Sequence, residues 1–168
     1  GGLFEQTMRV RLNLGASFLG SEIVRLGRTA AGENLGDGCW RSKIEISRDT
    51  AESSQWEFID QLELSGKSLT SIHGLADQPV FGSLVWIAPE KFTRSNLLDL
   101  IKVFRSIKKD ISGSMTCNVI NQGISARYLG ASTQAARFWF LSIWSEIRRL
   151  RKLSSPEKLR VWPLQENV

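Results

Sequence analysis

"VFGSLVWIAP", residues 80–89, carries the strongest indication of the architecture in this sequence. It is a short and nearly continuous apolar run, and Pro89 closes it. Such a run is typical of a β-strand that is covered on both faces, whereas a strand with one wet face alternates apolar and polar residues. We therefore expect this strand to lie at the centre of the domain, with other elements packed on both sides.

The sequence before this run predicts further strands, each with one buried face. Apolar residues recur at every second position, which is the side-chain period of a strand. This alternation occurs in four stretches, at residues 8–14, 18–27, 40–46 and 56–64. The segments between them are rich in Gly and small polar residues and predict loops and turns.

An acidic side chain interrupts the apolar face in two of these strands. Glu22 shares a face with Val24, and Asp60 shares a face with Leu62. An unpaired ionised carboxylate in an apolar interior is costly, so each acid must be protonated, paired, or in contact with water or a metal. The arginines considered as partners are Arg25, Arg28 and Arg41.

A helical period replaces the strand period after residue 90. Apolar residues recur at intervals of three and four from Leu97 to Ile111, which predicts an amphipathic helix over about 95–110 with Thr93 or Ser95 as its cap. Two strands joined by a tight hairpin turn are expected after it. They are "MTCNVI" at 115–120 and "ISARYLG" at 124–130.

A second helix is predicted over about 132–152, with Ser132 as its cap. It carries a wide aromatic stripe, which packs into the core or, where it stays exposed, anchors a partner. The fold class expected from all these elements is mainly β with C-terminal helices. With 168 residues, the chain is expected to form a single domain over residues 1–168.

Composition excludes several classes of function. The chain has one histidine, His73, and this excludes a multi-His metal site. No CxxC, HExxH, GxSxG or Walker A motif occurs. Cys39 and Cys117 are expected to be small buried residues, and two distant cysteines fit a reducing compartment. No apolar run approaches the roughly 20 residues that span a bilayer, so no membrane association is expected.

Two alternatives stay open on the residues alone. Two inward carboxylates would suit a carboxylate-based hydrolase such as a glycosidase, although nothing else in the sequence resembles a sugar-binding cleft. The formal net charge is +5, and the basic cluster at Arg148–Lys152 suggests a basic nucleic-acid-binding domain. The same cluster lies at the end of a predicted helix, where cations complement the helix dipole.

An ordered series of motifs resembles the UreD/UreH family, the urease accessory proteins D. The motifs are "EIVRLGRTAAGE" (22–33), "GCWRSKIEI" (38–46), "HGLADQPVFGSLVW" (73–86), "MTC" (115–117), "ARYLGASTQAARFWFLSIW" (126–144) and "RVWPLQ" (160–165). The resemblance implies a β-helix-like stack of sheets with helices near the C-terminus. It also implies that the chain is the C-terminal part of a longer protein, strand-rich over about 4–90, and that an N-terminal part is missing.

The resemblance further implies a cytoplasmic, non-enzymatic nickel metallochaperone. Its expected partners are urease accessory proteins F and G and apo-urease, and not nucleic acid or a membrane. Nickel is expected only in transit, with no cofactor tightly bound. Glu22 and Asp60 are the expected oxygen ligands along a transient nickel passage, and Glu33 and His73 are weaker candidates. A passage poor in His and Cys would bind nickel weakly enough for the ion to move on.

Overall fold

The computed structural model describes residues 2–51, 53–108 and 111–157. These residues form two β-sheets and a layer of helices. The strands are β1 (Leu3–Leu12), β2 (Phe18–Arg25), β3 (Cys39–Asp49), β4 (Ser54–Ser65), β5 (Val80–Ile87), β6 (Ser114–Ile120) and β7 (Gly123–Gly130). The helices are α1 (Gly66–Thr70), α2 (Arg94–Ile107) and α3 (Thr133–Leu150).

The central position predicted for β5 is confirmed. β5 lies inside a four-stranded antiparallel sheet of order β2-β5-β7-β6, here called sheet B. Val80, Leu84 and Trp86 pack in one hydrophobic cluster with α2 and α3, while Val85 and Ile87 pack with residues of the other sheet. Alternate side chains of one strand thus supply two cores, as a strand covered on both faces must.

The other sheet, here called sheet A, has the order β1-β3-β4. β1 runs parallel to β3, and β4 runs antiparallel to β3. Its inner face packs on sheet B, where the rings of Trp40 and Phe81 meet edge to face with centroids 5.0 Å apart. Its outer face carries cross-strand ion pairs, including Arg9 with Glu45 at 2.8 Å. One face of sheet A is therefore apolar and buried, and the other is charged and hydrated.

The two predicted long helices form at the expected places and cover the outer face of sheet B. The Thr93 hydroxyl accepts a hydrogen bond from the Asn96 N–H at the start of α2, and the Ser132 hydroxyl accepts one from the Ala135 N–H at the start of α3. Trp139 of α3 is fully buried, so most of the aromatic stripe belongs to the core. The short helix α1 was not predicted from the sequence.

Two predictions for the edges of strands are wrong. Leu14 lies in an exposed turn, because β1 ends at Leu12. In β4 the alternation predicted Trp56 inside and Glu57 outside, yet Trp56 is 61% exposed and the Glu57 side chain is buried. The cause is a β-bulge. Ile46 of β3 pairs with Phe58 of β4, but Ser47 pairs with Trp56, so Glu57 is an extra residue on β4. One extra residue reverses the facing of the side chains beyond it.

The expected fold class, mainly β with a C-terminal helix, is confirmed, whereas the β-helix-like form of the stack is not. No helix in residues 2–51, 53–108 and 111–157 is long and apolar enough to cross a membrane. The motif "RVWPLQ" at 160–165 lies outside the described residues, as do positions 109 and 110 of the first predicted helix.

Candidate functional site

A cavity of about 170 Å³ lies between the two sheets, and both predicted acids line it. Glu22 reaches it from β2 of sheet B, and Asp60 reaches it from β4 of sheet A. Arg127 of β7 also lines it. The remaining wall is largely apolar and includes Phe18 and Phe58. Two carboxylates that are distant in sequence therefore share one space between the sheets.

Glu22 is held by uncharged donors from the opposite sheet. The Gln6 side-chain amide of β1 donates a hydrogen bond to Glu22 Oε1, and the Ser42 hydroxyl of β3 donates to Glu22 Oε2 at 3.4 Å. Gln6 also donates to Ser42 Oγ at 3.1 Å, so the three side chains form one network. This network explains how a carboxylate is tolerated on an otherwise apolar face.

Asp60 is held by a cation. The Arg127 guanidinium donates from Nη2 to Asp60 Oδ2 at 2.5 Å and from Nη1 to the Ser83 hydroxyl at 2.7 Å. The Asp60 side chain is 21% exposed and that of Arg127 is 38% exposed. The pair bridges the sheets, because Asp60 belongs to sheet A whereas Ser83 and Arg127 are register partners in sheet B. Its charges are partly hydrated, since both side chains keep contact with water.

The arginines expected as partners of the two acids bind elsewhere. Arg28 pairs with Glu33, and Arg41 pairs with Glu63 on the outer face of sheet A at 2.9 Å. Arg25 donates to the Ala131 carbonyl at 3.2 Å. The partner that Asp60 has in the structure is 67 residues away in sequence, so nearness along the chain is a poor guide to pairing between sheets.

The weaker candidates, Glu33 and His73, lie apart from the cavity that Glu22 and Asp60 share. Glu33 is exposed and accepts hydrogen bonds from the side chain and the backbone N–H of Arg28. The hydrogen bond from the Arg28 side chain lowers the pKa of Glu33. His73 is exposed and lines a second cavity of about 250 Å³, which is also bounded by Arg127. Their roles as metal ligands stay predictions.

The cysteines differ in burial. Cys117 is buried in the core beneath α2, and burial raises the pKa of its thiol, which disfavours the thiolate that binds metals. Cys39 is only partly buried, at the start of β3. In the part of the chain that the structure describes, no group of three or more His, Cys, Asp or Glu side chains is placed to hold a metal ion.

Sequence reasoning missed two polar residues that line the cavity, Gln6 and Arg127. Gln6 lies two positions from Met8 on the inner face of β1, so the test that found Glu22 would also have found it. Arg127 follows the same rule on β7 between Ser125 and Leu129. That Arg127 lies inside the molecule follows only from the covering of β7 on both faces, which depends on how the two sheets stack.

Two arginines of the basic cluster at the end of α3, Arg148 and Arg149, make local contacts. The Arg148 guanidinium lies 5.7 Å from the centre of the Trp144 ring and donates to Ser154 Oγ at 3.0 Å. Arg149 pairs with Glu146 at 2.7 Å. Such contacts favour a role in ending the helix over a role in binding phosphates.

The chain matches the family model described as UreD urease accessory protein over residues 1–163. It is 58% identical to the urease accessory protein UreD of Prochlorococcus marinus (strain NATL1A) over 167 residues, which are 99% of this chain and 54% of that protein. It is 51% identical to the protein of the same name from Synechococcus sp. (strain CC9311) over 164 residues, which are 98% of this chain and 55% of that protein.

These matches place the two-sheet protein among the urease accessory proteins. Within that class, the chain belongs to the UreD family. It spans about half the length of the curated relatives it matches. The family resemblance drawn from the motifs is thereby confirmed.

Proposed function

We propose that this chain is part of a nickel metallochaperone scaffold for urease. In this proposal the full protein acts in the cytoplasm, binds urease accessory proteins F and G, docks on apo-urease and assists the insertion of nickel into the urease active site. It performs no catalysis itself. Nickel is its cargo and passes through without a tightly bound resting site. The chain corresponds to the C-terminal part of the full protein.

The observation that carries this proposal is the shared cavity of Glu22 and Asp60. Each acid alone is explained as a satisfied buried polar group, because each has hydrogen-bond partners. Their meeting in one space between two sheets gives that space two carboxylate groups and one guanidinium, that of Arg127, in an otherwise largely apolar wall, so one negative charge is in excess. A space of this kind attracts a divalent cation.

The ligand chemistry suits transit better than storage. Nickel binds most tightly to nitrogen and sulfur ligands, and carboxylate oxygens hold it more weakly. The donors around Glu22 are an amide and a hydroxyl, whose oxygens are neutral ligands of the same kind. An ion held by such ligands exchanges readily, as a passage requires.

The test uses the full-length protein, produced together with apo-urease and accessory proteins F and G. Nickel per urease active site is compared for the wild type, Glu22→Ala and Asp60→Ala, and assembly is checked by pull-down from the same cells. The matched control is Glu45→Ala, which removes a carboxylate from the outer face of sheet A, where Glu45 pairs with Arg9 and Lys43.

We expect Glu22→Ala to lower the nickel content of urease while assembly and the control variant stay normal. Unchanged nickel content in both inner variants, with normal assembly, would refute the passage. Equal losses in the inner variants and in Glu45→Ala would show that the effect comes from net charge, and not from the cavity. The hydrolase alternative predicts instead an activity of the isolated protein that both inner variants abolish.

A further inference from the structure

Arg127 lies at the boundary between the two cavities of the inter-sheet space. The first cavity is lined by Asp60, Ser83 and Ser125, and the second by Leu62 and Leu129, and Arg127 lines both. Moving along β4 from Asp60 to Leu62, or along β7 from Ser125 to Leu129, thus leads from the first cavity to the second. Along this boundary the guanidinium of Arg127 is fixed at both ends, by Asp60 and by Ser83.

We propose that Arg127 is a resident cation that competes with the cargo ion for Asp60 and keeps the two cavities separate until that ion displaces it. The inference deepens the proposed function and rests on it. It assigns different roles to the two inner acids. Glu22, held by neutral donors, is the carboxylate that receives a divalent cation first, and Asp60 becomes available only when Arg127 leaves it.

Electrostatics supports competition between the two cations. A guanidinium and a divalent ion on one carboxylate repel each other at close range, so binding of one weakens binding of the other. The Asp60–Arg127 pair is also suited to open, because 38% of the Arg127 side chain is exposed and its second partner is a single hydroxyl. A partly hydrated ion pair is weak and can be exchanged, whereas a saturated buried pair cannot.

The geometry also identifies what lies beyond the boundary. The second cavity, about 250 Å³ in volume, is bounded by His73 and Glu63 as well as by Arg127. An ion that leaves Asp60 on this side therefore meets the imidazole of His73 near the exposed loop that follows α1. The passage, if opened at Arg127, connects the Glu22 side of the molecule with the His73 side.

The experiment measures binding of Ni²⁺ alone to the purified full-length protein by isothermal titration calorimetry. The variants are Arg127→Gln, the double variant Asp60→Asn with Arg127→Gln, and Glu22→Gln. The matched control is Arg9→Gln, which removes one positive charge and one ion pair from the outer face of sheet A. Thermal melts establish that each variant is folded.

We expect Arg127→Gln to bind Ni²⁺ about fivefold or more tightly than the wild type, the lower end of typical coupling between two ligands. The double variant is expected to lose this gain, and Arg9→Gln to bind as the wild type does. An unchanged affinity in folded Arg127→Gln overturns the proposal, as does a gain that survives in the double variant or occurs equally in Arg9→Gln.

A second variant keeps the test decisive if Arg127→Gln does not fold. Ser83→Ala removes one of the two partners of the guanidinium and leaves every charge in place. A smaller gain in Ni²⁺ affinity supports the proposal, and no gain overturns it. Failure of the proposed function has a different signature, because then Glu22→Gln leaves Ni²⁺ binding unchanged, or the wild type binds no Ni²⁺ at all.

Discussion

Two arginine–carboxylate pairs lie inside the part of the molecule that the structure describes, and they differ in burial and in the number of further partners. Arg48 Nε donates to Glu57 at 2.8 Å, and the two side chains are only 6% and 5% exposed. The Arg48 guanidinium also donates to the backbone carbonyls of Asn13, Ala16 and Ala88. In contrast, the Asp60–Arg127 pair is partly exposed and has one further partner, a hydroxyl.

The difference distinguishes a pair that holds the fold from a pair that can be exchanged. Arg48 ties together the turn after β1, the strand β4 and the residue after β5, and water cannot replace these contacts without opening the core. Arg127 lines two cavities, so water or a cation can reach its partner. The role of a buried arginine is therefore indicated by its burial and by how many of its N–H groups have hydrogen-bond partners, and not by the mere presence of an ion pair.

Removal of the Arg48 side chain is expected to have the largest effect. Arg48→Ala leaves Glu57 charged and buried without its partner, and it removes a hydrogen bond from three carbonyls, of which those of Asn13 and Ala88 keep a second donor. We expect the free energy of unfolding to fall by about 3–5 kcal/mol, measured by urea denaturation of the full-length protein. The control Arg9→Ala removes a pair on the outer face of sheet A, in which the arginine side chain is 75% exposed, and should lower stability much less than Arg48→Ala does. Equal effects would abolish the distinction between the pairs.

Neutralising the other partner is expected to cost less. Glu57→Gln keeps an acceptor for Arg48, which also retains its three carbonyl partners, and Glu57 Oε2 has no hydrogen-bond partner to lose. We expect a loss of about 1–3 kcal/mol in the same denaturation experiment. A loss larger than that of Arg48→Ala would show that the charge of Glu57, and not the contacts of Arg48, stabilises this region.

The exchangeable pair should contribute little to stability. Asp60→Asn removes one charge of a partly hydrated pair, so the free energy of unfolding is expected to fall by about 1 kcal/mol or less. Thermal melts of the full-length protein test this directly against Glu57→Gln. A loss of the size expected for Arg48→Ala would mean that Asp60 serves the fold, and the competition proposed at Arg127 would lose its basis.

The ion pairs of the outer face should lose their contribution to stability only in acid. Hydrogen bonds from Lys43 and then Arg9 lower the pKa of Glu45 below its ordinary value of 4.5. Its contribution is therefore complete above that ordinary value and is lost as the pH falls through the lowered pKa. Glu45→Gln should flatten the decline of Tm between about pH 6 and about pH 3 slightly. An identical pH profile in wild type and variant would exclude any contribution of this pair.

Much of the fold could be predicted because its signals are local. The apolar run of β5, the caps Thr93 and Ser132 and the alternation that turns Glu22 and Asp60 inward each depend on residues within a few positions of one another. The bulge in β4 could not be predicted in this way. Its extra residue is defined by the register with β3, so Trp56 and Glu57 exchanged their expected faces.

Local sequence patterns were sufficient to turn Glu22 and Asp60 inward, to set where the long helices begin and to indicate the family to which the chain belongs. The contacts of the two acids, in contrast, depend on how the two sheets stack. Glu22 binds residues 16 and 20 positions away, and Asp60 binds an arginine 67 positions away. The physical reason is that periodicity records the facing of a residue within its own strand, whereas a partner across two stacked sheets depends on the register and stacking of both sheets together.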